Sequence, residues 1–333
     1  ATIDEADKFI EQKRNGTFKQ GAKTGIPEFD RFWRFKEGEF DMILGHDNVG
    51  KSTVSWYFAL LDALFNDYHY VIFAGENKVG SVKLKLMEFY LCRKVEAMSD
   101  QEFADAKKWV ESKFDFIRND ESYNYMDIIN MGTAMLKRKP KIKMIAEPYN
   151  ILERDSNGND HQFDQKAMNA LRLFIRKTGI GLTLNVHAST EALRRTYPKE
   201  HEWFGYPQPP NKADAEGGGK FTGRADNFMV IHRMTNHPTE WIWTEVHVQK
   251  LKEYETGGQI TPKTEPFKIR LCQNGTGFET VSGYNAILEY WKSKQSLPPS
   301  LKPNLEAFEL ERKPISEPRV NPKEILESDI VPF

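Results

Sequence analysis

The feature that most constrains this chain is the loop from Gly45 to Thr53, which reads GHDNVGKST. It follows an apolar run that ends at Leu44 and precedes a helix-like run that begins at Val54. The order strand, G-x-x-x-x-G-K-[ST], helix predicts a P-loop, whose curled backbone directs its N–H groups at phosphate oxygens. A chance glycine-rich turn is the alternative, and the flanking strand and helix argue against it. We therefore expect the chain to fold around a bound triphosphate.

The polar positions of this loop predict contacts with the nucleotide. Lys51 is expected to reach the β- and γ-phosphates, and the Ser52 hydroxyl is expected to ligate Mg²⁺. The predicted cofactors are therefore ATP, or another NTP, and Mg²⁺. The loop residues predicted to bind them are Gly45, Asn48, Gly50, Lys51, Ser52 and Thr53.

Composition excludes several classes of protein. The 333-residue chain carries 47 basic and 48 acidic residues, so contact with nucleic acid requires a local basic patch. Cys92 and Cys272 form neither a C-x-x-C pair nor a disulfide framework. No apolar run approaches the roughly 20 residues that span a bilayer, and no signal-peptide pattern is present. These features predict a soluble intracellular protein, and the start at Ala1 indicates processing or a fragment of a longer chain.

Alternating apolar runs and helix-like segments predict an α/β fold. The predicted strands are 40–44, 70–75, 115–117, 141–146, 181–186, 227–233, 241–251 and 267–272, and the predicted helices are 2–14, 54–61, 81–95, 100–113, 127–138 and 165–177. Strands that alternate with helices after a P-loop predict a mostly parallel central sheet with helices on both faces. The last three strands follow one another without helices, so antiparallel closing strands are expected to make the sheet mixed.

The chain divides into three predicted regions. Residues 1–20 form a linker helix whose narrow apolar stripe packs on its own domain or on a neighbouring subunit. Residues 21–290 form the α/β domain, with a long polar loop at 189–224 of the kind that is usually functional or mobile. Residues 291–333 are rich in Pro, Glu and Lys and are predicted to be a disordered tail.

Three ionisable side chains follow predicted strands, at the sheet edge where P-loop proteins place their remaining chemistry. Glu76 is placed to orient and deprotonate the water that attacks the γ-phosphate. Glu147 is placed to hold Mg²⁺ through its water shell. His187 is placed to contact the γ-phosphate and report its loss. The alternatives are a surface glutamate in a turn for Glu76 and a structural histidine for His187.

The order of these motifs resembles the RecA-like ATPase domain of the DnaB-type (superfamily 4) replicative helicases, especially their phage-encoded members. The matching segments are 45–53, 75–77, 147–150, 185–188, 217–220, 225–227 and 248–252, within about residues 20–285. The resemblance implies a RecA-like P-loop NTPase that forms a hexameric ring, translocates on single-stranded DNA and unwinds duplex during replication. It implies the cytoplasm of a bacterium or of a phage-infected host. It also implies that Glu76 is the catalytic base and His187 the γ-phosphate sensor.

The resemblance further implies groups that act between subunits. Lys250 and Lys252 fall where the family places a lysine and an arginine finger that reach the nucleotide of the next subunit. A lysine at 252 keeps the charge but loses planar bidentate contact. Arg233 and Arg270 are therefore alternative candidates for the finger.

Glu147 departs from the family, which usually has aspartate at this position. The extra methylene shifts the carboxylate by more than about 1 Å, and a Mg²⁺ site demands near-octahedral geometry. Glu147 is therefore either a natural variation or a substitution that slows hydrolysis.

The loop 189–224 resembles the central-channel DNA loops of the family. Its glycines allow close approach of the backbone to a strand, and its basic side chains bind phosphates without reading sequence. The alternative is a solvated loop. The residues predicted to bind DNA are Arg194, Arg195, Lys199, Lys212, Gly217, Gly218, Gly219, Lys220 and Arg224.

The carboxyl-terminal segment Glu327–Phe333 resembles the acidic, Pro-Phe-ended tip by which bacterial single-strand-binding proteins recruit partners. Two acids, an apolar pair and a terminal carboxylate suit a basic-rimmed hydrophobic pocket, so we expect a replication protein to bind here. No primase-type zinc cluster is present, so primer synthesis is not expected within this chain.

Two other functions remain open from the sequence. A RecA-like recombination or repair ATPase would form open filaments and exchange strands. A KaiC-like regulatory ATPase would act through protein association. Closed rings and unwinding would favour the helicase, filaments on DNA the recombinase, and DNA-independent hydrolysis the regulator.

Overall fold

The structure is a computed structural model that describes residues 3–154, 160–216 and 218–294. Its fold is an α/β sandwich. The strands are β1 Phe40–Gly45, β2 His69–Ala74, β3 Phe114–Ile117, β4 Ile142–Glu147, β5 Gly181–His187, β6 Asn227–His232, β7 Trp243–Leu251, β8 Phe267–Leu271 and β9 Phe278–Thr280. The helices are α1 Ile3–Arg14, α2 Lys51–Asn66, α3 Val79–Leu91, α4 Asp100–Lys113, α5 Tyr125–Leu136, α6 Asp160–Thr178, α7 Thr190–Leu193, α8 Gly219–Arg224 and α9 Ala286–Ser293. Within the described ranges, no helix is both long and apolar enough to cross a bilayer.

All of these strands belong to one sheet, in the order β3-β2-β4-β5-β1-β6-β7-β8-β9. The strands from β3 to β6 are parallel, and β7, β8 and β9 close the sheet in antiparallel fashion. The predicted mixed sheet is therefore confirmed. Because β1, β2, β4 and β5 are parallel, their carboxyl ends meet at one edge, and the P-loop leaves β1 at that edge.

Helices cover both faces of the sheet and enclose two hydrophobic cores. Met42 and Leu44 of β1 pack into the core shared with α5, α6 and α8, whereas Ile43 packs into the core shared with α2, α3, α4 and α9. This alternation follows from the period of two along a strand. A parallel strand buried on both faces is apolar along its length, as the sequence of β1 is.

Helix boundaries follow local backbone chemistry. Helix α4 begins where predicted, because Ser99 and Glu102 form a capping box in which each side chain accepts from the other residue's backbone N–H. Helix α3 ends at Leu91, before the predicted limit of residue 95, because Cys92 adopts a left-handed conformation with φ 51°.

The segment after the last predicted strand is folded further than composition suggests. Strand β9 and helix α9 were not predicted, and α9 extends past the expected boundary at residue 290. Trp291 is buried, and its indole N–H donates to the Tyr90 carbonyl at 2.6 Å. The remainder of the predicted tail, 295–333, including Glu327–Phe333, lies outside the described residues.

At the edge of the sheet opposite the P-loop, the buried carboxylate of Glu39 and the carboxylate of Asp41 share one donor, the Asn227 amide. Glu39 accepts a hydrogen bond from Asn227, whose amide also donates to Asp41 at 2.6 Å. Burial, with the charge of Asp41, raises the pKa of Glu39 from 4.5 to about 7. The folded state therefore holds this proton more tightly than the unfolded chain does.

The free energy of unfolding is predicted to decrease as pH rises from about 4.5 to about 7, since the native state binds more protons there than the unfolded chain. Glu39→Gln keeps an acceptor for Asn227 and removes the ionisation. We expect it to flatten this slope and to raise stability at about pH 8 by about 1–3 kcal/mol. Urea denaturation near pH 5 and near pH 8 measures the effect. The exposed Glu96→Gln is the control, and equal slopes in both variants would contradict the prediction.

Candidate nucleotide-binding site

The P-loop is shaped by a close backbone contact and by two left-handed residues. A Cβ on Gly45 would lie 2.5 Å from the Ile231 carbonyl oxygen of β6, so only glycine fits at the end of β1. Asn48 and Gly50 have φ values of 61° and 90°, and helix α2 begins directly afterwards at Lys51. The loop therefore curls tightly between the strand and the helix, as the motif predicts.

Lys51 lies inside this curl. Its ammonium donates to the carbonyl oxygens of Gly45, at 2.9 Å, and His46, at 2.7 Å. Burial lowers the pKa of Lys51, although the nearby carboxylates of Asp47, Glu76 and Glu147 oppose the decrease. The positive charge is thus held within the loop, where phosphates would bind.

A cleft of about 830 Å³ opens beside the loop and brings the predicted groups together. It is formed by the P-loop, the start of α2 and the carboxyl ends of β2, β4 and β5. The lining residues include the predicted Asn48, Gly50, Lys51, Ser52, Thr53, Glu76, Glu147 and His187, and also Asp47, Trp56, Asn77, Asn150, Asn185 and Glu216, which were not predicted.

His187 connects the P-loop to Glu76. Its Nδ1 lies 2.7 Å from Oδ1 of Asp47, and its Nε2 lies 4.0 Å from Oε1 of Glu76. The β1–β5 register places His187 opposite Gly45, at the mouth of the loop. Glu76 itself is half-exposed, with 55% of its side chain open to solvent. A water molecule can therefore reach its carboxylate, as a general base requires.

Glu147 is almost completely buried, at 1% exposure, with donors on both carboxylate oxygens. The Trp56 indole N–H donates to Oε1 at 2.5 Å, and the Asn185 amide donates to Oε2 at 2.5 Å. Burial raises the pKa of Glu147 to about 7, and the nearby Ser52, Trp56 and Asn185 side chains limit the increase because they favour the charged carboxylate.

The pair formed by Ser52 and Glu147 fits a Mg²⁺ ion. A hydroxyl and a carboxylate that line the same cleft are the hard oxygen ligands that this ion prefers, together with phosphate oxygens and water. Within the described ranges, no group of three or more His, Cys, Asp or Glu side chains is arranged to hold a metal ion.

Trp56 was missed because it lies outside every motif, and Asn185 was missed because its segment, 185–188, was matched without a role for its first residue. Their spacing contained a usable signal. Trp56 follows Ser52 by one helical turn and so shares its face of α2. Asn185 precedes His187 by two residues on β5 and so points to the same side of the sheet.

The segment 189–216 leaves the cleft and returns to it. The Glu216 N–H donates to the His187 carbonyl at 2.9 Å, and the Ser189 N–H donates to the Asp214 carbonyl at 2.8 Å. The two ends of this part of the predicted DNA loop are therefore joined beside His187. Any movement of His187 would act directly on this junction.

The predicted DNA-binding residues lie on this segment and on α8, which is not among the elements that form the cleft. Arg194 and Arg224 are exposed, Arg194 lies 3.6 Å from Glu191, and Arg195 pairs with Asp214. Gly218 has φ 78° and ψ −153°, a conformation that is essentially restricted to glycine. Gly217 lies outside the described residues. Lys199 and Lys212 are exposed, and the backbones of Gly219 and Lys220 belong to α8.

Lys250 contacts the end of α8, and Lys252 contacts the segment that follows this helix, within their own chain. The Lys250 ammonium donates to the carbonyls of Thr222 and Ala225, both at 2.6 Å, and Lys252 lies 3.3 Å from Asp226. Neither lysine is among the described residues that line the cleft. This position is compatible with contact to a second subunit and leaves the predicted role of these lysines untested.

The alternative finger candidates also have partners. Arg233 donates to the Trp241 carbonyl at 2.5 Å, and Arg270 pairs with Glu279 at 2.5 Å.

Comparison with known proteins supports this architecture. No protein-family model matches the chain. Among curated proteins, it is 25% identical over 275 residues to the Twinkle homolog protein, chloroplastic/mitochondrial, of Arabidopsis thaliana. That match covers 78% of this chain but only 36% of the length of the relative.

Solved structures share the fold at low sequence identity. A separately solved ATPase domain superimposes with a TM-score of 0.67 at 15% identity, covering 84% of this chain and 99% of that domain. A DnaB-like replicative helicase, described with its interactions with primase, gives 0.66 at 15% identity, covering 84% of this chain and 66% of that one. A KaiC-like protein, PH0186 of Pyrococcus horikoshii OT3, gives 0.53 at 14% identity, covering 78% and 98%.

The fold and its cleft define a RecA-like P-loop domain. Within that class, this chain is similar to the ATPase domains of DnaB-like helicases and to a Twinkle homologue, which confirms the resemblance that its motif order indicates.

Gly45→Ala is predicted to destabilise the protein by about 1–3 kcal/mol and to weaken nucleotide binding, because the new methyl group meets the Ile231 carbonyl oxygen. Gly219→Ala is the matched control, since its Cβ would have nothing within 4 Å. Chemical denaturation and nucleotide titration of both variants provide the measurement. Wild-type stability in Gly45→Ala would contradict the close-contact explanation.

Proposed function

We propose that this chain is the motor of a ring-shaped DNA helicase, which uses NTP hydrolysis to translocate on single-stranded DNA and unwind duplex during replication. The observation that carries the proposal is the convergence of Lys51, Ser52, Glu76, Glu147 and His187 on one cleft. These residues come from four separate segments of the chain. Together they provide the phosphate-binding, metal-binding and proton-accepting groups that phosphoryl transfer to water requires.

The cleft residues divide the work of hydrolysis. The P-loop N–H groups and Lys51 bind the phosphates, while Ser52 and Glu147 hold Mg²⁺, which neutralises charge on the phosphate oxygens when bound. Glu76 accepts the proton of the attacking water, which its exposed carboxylate can contact. Asp47 fixes His187 through Nδ1, so that Nε2 faces the region between Glu76 and the loop.

Two further elements of the proposal require a second subunit and DNA. Lys250 and Lys252, which contact α8 and not the cleft, would reach the nucleotide of a neighbour in a hexamer. Residues 189–224 would face single-stranded DNA and bind its backbone through Arg194, Arg195, Lys220 and Arg224. Joining of this segment at His187 links hydrolysis to movement of the DNA-binding surface.

The same proposal covers the surroundings of the motor. A replication protein would bind the carboxyl-terminal Glu327–Phe333, and the phage-type motif order favours the cytoplasm of a bacterium or infected cell. The relative from Arabidopsis carries an organellar name. A pull-down of replication proteins with the tail peptide complements the activity measurements below.

A KaiC-like regulatory ATPase is the second candidate, favoured by the similarity to the KaiC-like protein PH0186. It would use the same cleft, so cleft variants alone do not separate the two functions. DNA dependence does, because a regulator that acts through protein association hydrolyses NTP equally well without DNA. A RecA-type recombinase would instead form helical filaments on DNA.

Glu76→Gln is predicted to lower the turnover of DNA-stimulated NTP hydrolysis about 10²- to 10⁴-fold, while nucleotide binding is retained. Lys51→Ala is expected to lose binding itself, since it removes the charge inside the loop. Steady-state hydrolysis with and without single-stranded DNA, with mass determination plus and minus nucleotide, gives the measurements. The exposed Glu96→Gln serves as the control. Full turnover in either cleft variant would refute the proposed site.

The double variant Lys220→Ala with Arg224→Ala is predicted to weaken binding of single-stranded DNA and to reduce its salt dependence by up to about two phosphate contacts. Nucleotide affinity should stay unchanged, because α8 is not among the elements that form the described cleft. The matched control is Lys107→Ala with Lys108→Ala, which removes two exposed charges on α4. If both double variants bind DNA as the wild type does at low salt, α8 is not the DNA-binding element.

A further inference from the structure

Trp56 makes a hydrogen bond in this cleft that neither the P-loop motif nor the strand ends lead us to expect. It lies on α2, it is 6% exposed, and it lines the cleft beside Glu147. Its indole N–H donates to Oε1 of Glu147 at 2.5 Å. A buried indole N–H usually finds a hydrogen-bond partner, and here that partner is the carboxylate predicted to hold Mg²⁺.

The carboxylate of Glu147 is fixed from its other side as well. The Asn185 amide donates to Oε2 at 2.5 Å, and the Asn185 carbonyl oxygen in turn accepts from the Ser55 hydroxyl at 3.0 Å. Ser55 and Trp56 are adjacent on α2, so one helix supports both oxygens, directly and through Asn185. The two donors, Trp56 and Asn185, thereby fix the carboxyl plane.

The hydrogen bond from the Trp56 indole depends on the length of the Glu147 side chain. Shortening it by one methylene would withdraw the carboxylate by about 1.5 Å, the length of a C–C bond. The distance of 2.5 Å to the Trp56 nitrogen would then increase to about 4 Å, beyond hydrogen-bond range. Glu147 and Trp56 therefore form a matched pair: the longer acid requires a donor farther from the strand, and the indole is that donor.

We propose that Trp56 is a positioning residue for Mg²⁺–nucleotide binding, because it holds the long side chain of Glu147 against Ser52 in the orientation that the ion needs. This inference rests on the proposed NTPase function. It explains how the chain uses glutamate at a position where the DnaB-type helicases, which it resembles, usually have aspartate. Partners of this kind, which contact a ligand but not the metal, typically change metal affinity about 10- to 100-fold when they are removed.

Trp56→Phe tests the proposal because it keeps an aromatic ring and removes the N–H donor. The first measurement is equilibrium binding of a fluorescent ATP analogue, titrated with Mg²⁺, in which no turnover is required. We expect the Mg²⁺ concentration for half-maximal binding to increase about 10-fold, with affinity for the Mg²⁺-free analogue unchanged. In hydrolysis, the Mg²⁺ concentration for half-maximal turnover should increase by a similar factor.

Two further variants give the test its controls. Trp109→Phe alters a tryptophan that stacks on Tyr90 at 4.1 Å and is not among the described residues that line the cleft, so it reports generic loss of an indole. Glu147→Asp withdraws the carboxylate from an intact Trp56 and should also increase the Mg²⁺ requirement. In the double variant, Trp56→Phe should add nothing to Glu147→Asp, because the contact that it removes is already absent.

The outcomes distinguish failure of the positioning role of Trp56 from failure of the proposed NTPase function. An unchanged Mg²⁺ requirement in Trp56→Phe, or an effect that is simply additive with Glu147→Asp, would overturn the positioning role and leave Trp56 as a packing residue. Equal losses of Mg²⁺-dependent and Mg²⁺-free affinity would overturn it too. If the wild-type protein bound the analogue without any response to Mg²⁺, the proposed function itself would fail, which is a distinguishable result.

Discussion

The approach of β6 to the end of β1 is the contact on which the rest of the site depends. The Ile231 carbonyl oxygen occupies the space that any side chain at position 45 would need, so the chain leaves the sheet there without a side chain. The left-handed residues Asn48 and Gly50 then turn the backbone into α2. Loop curvature, the position of Lys51 and the start of α2 all follow from this packing of two parallel strands.

The parallel arrangement of the strands brings the other residues of the cleft together. Residues 76, 147 and 187 are far apart in sequence but follow strands whose carboxyl ends share an edge. Because adjacent strands are hydrogen-bonded in register, Gly45 lies opposite His187 and Ala74 lies opposite Glu147. Backbone pairing, and not contact among the functional side chains, therefore determines which of these groups meet. Side-chain hydrogen bonds then set their orientation within the cleft.

The sequence is sufficient for the parts of this protein that depend on local rules. The P-loop, the start of α4 and the apolar run of β1 are each visible in a few consecutive residues, and each lies where predicted. Trp56 and Asn185 were not found, because their importance depends on a carboxylate that is distant in the chain. Helix α9 was missed for the same reason, since the burial of Trp291 depends on a distant partner, Tyr90. Composition and periodicity do not identify residues whose partners are distant in the chain.

Lys250 has a consequence for any assembly that this domain forms. A single ammonium group carries three protons, and here two of its contacts are the carbonyls of Thr222 and Ala225 at the end of α8. If an anion on an adjoining molecule attracts that ammonium, the helix end loses donors that its last carbonyls otherwise share. Competition for the Lys250 ammonium would then make the stability of α8 depend on the charge of the adjoining molecule.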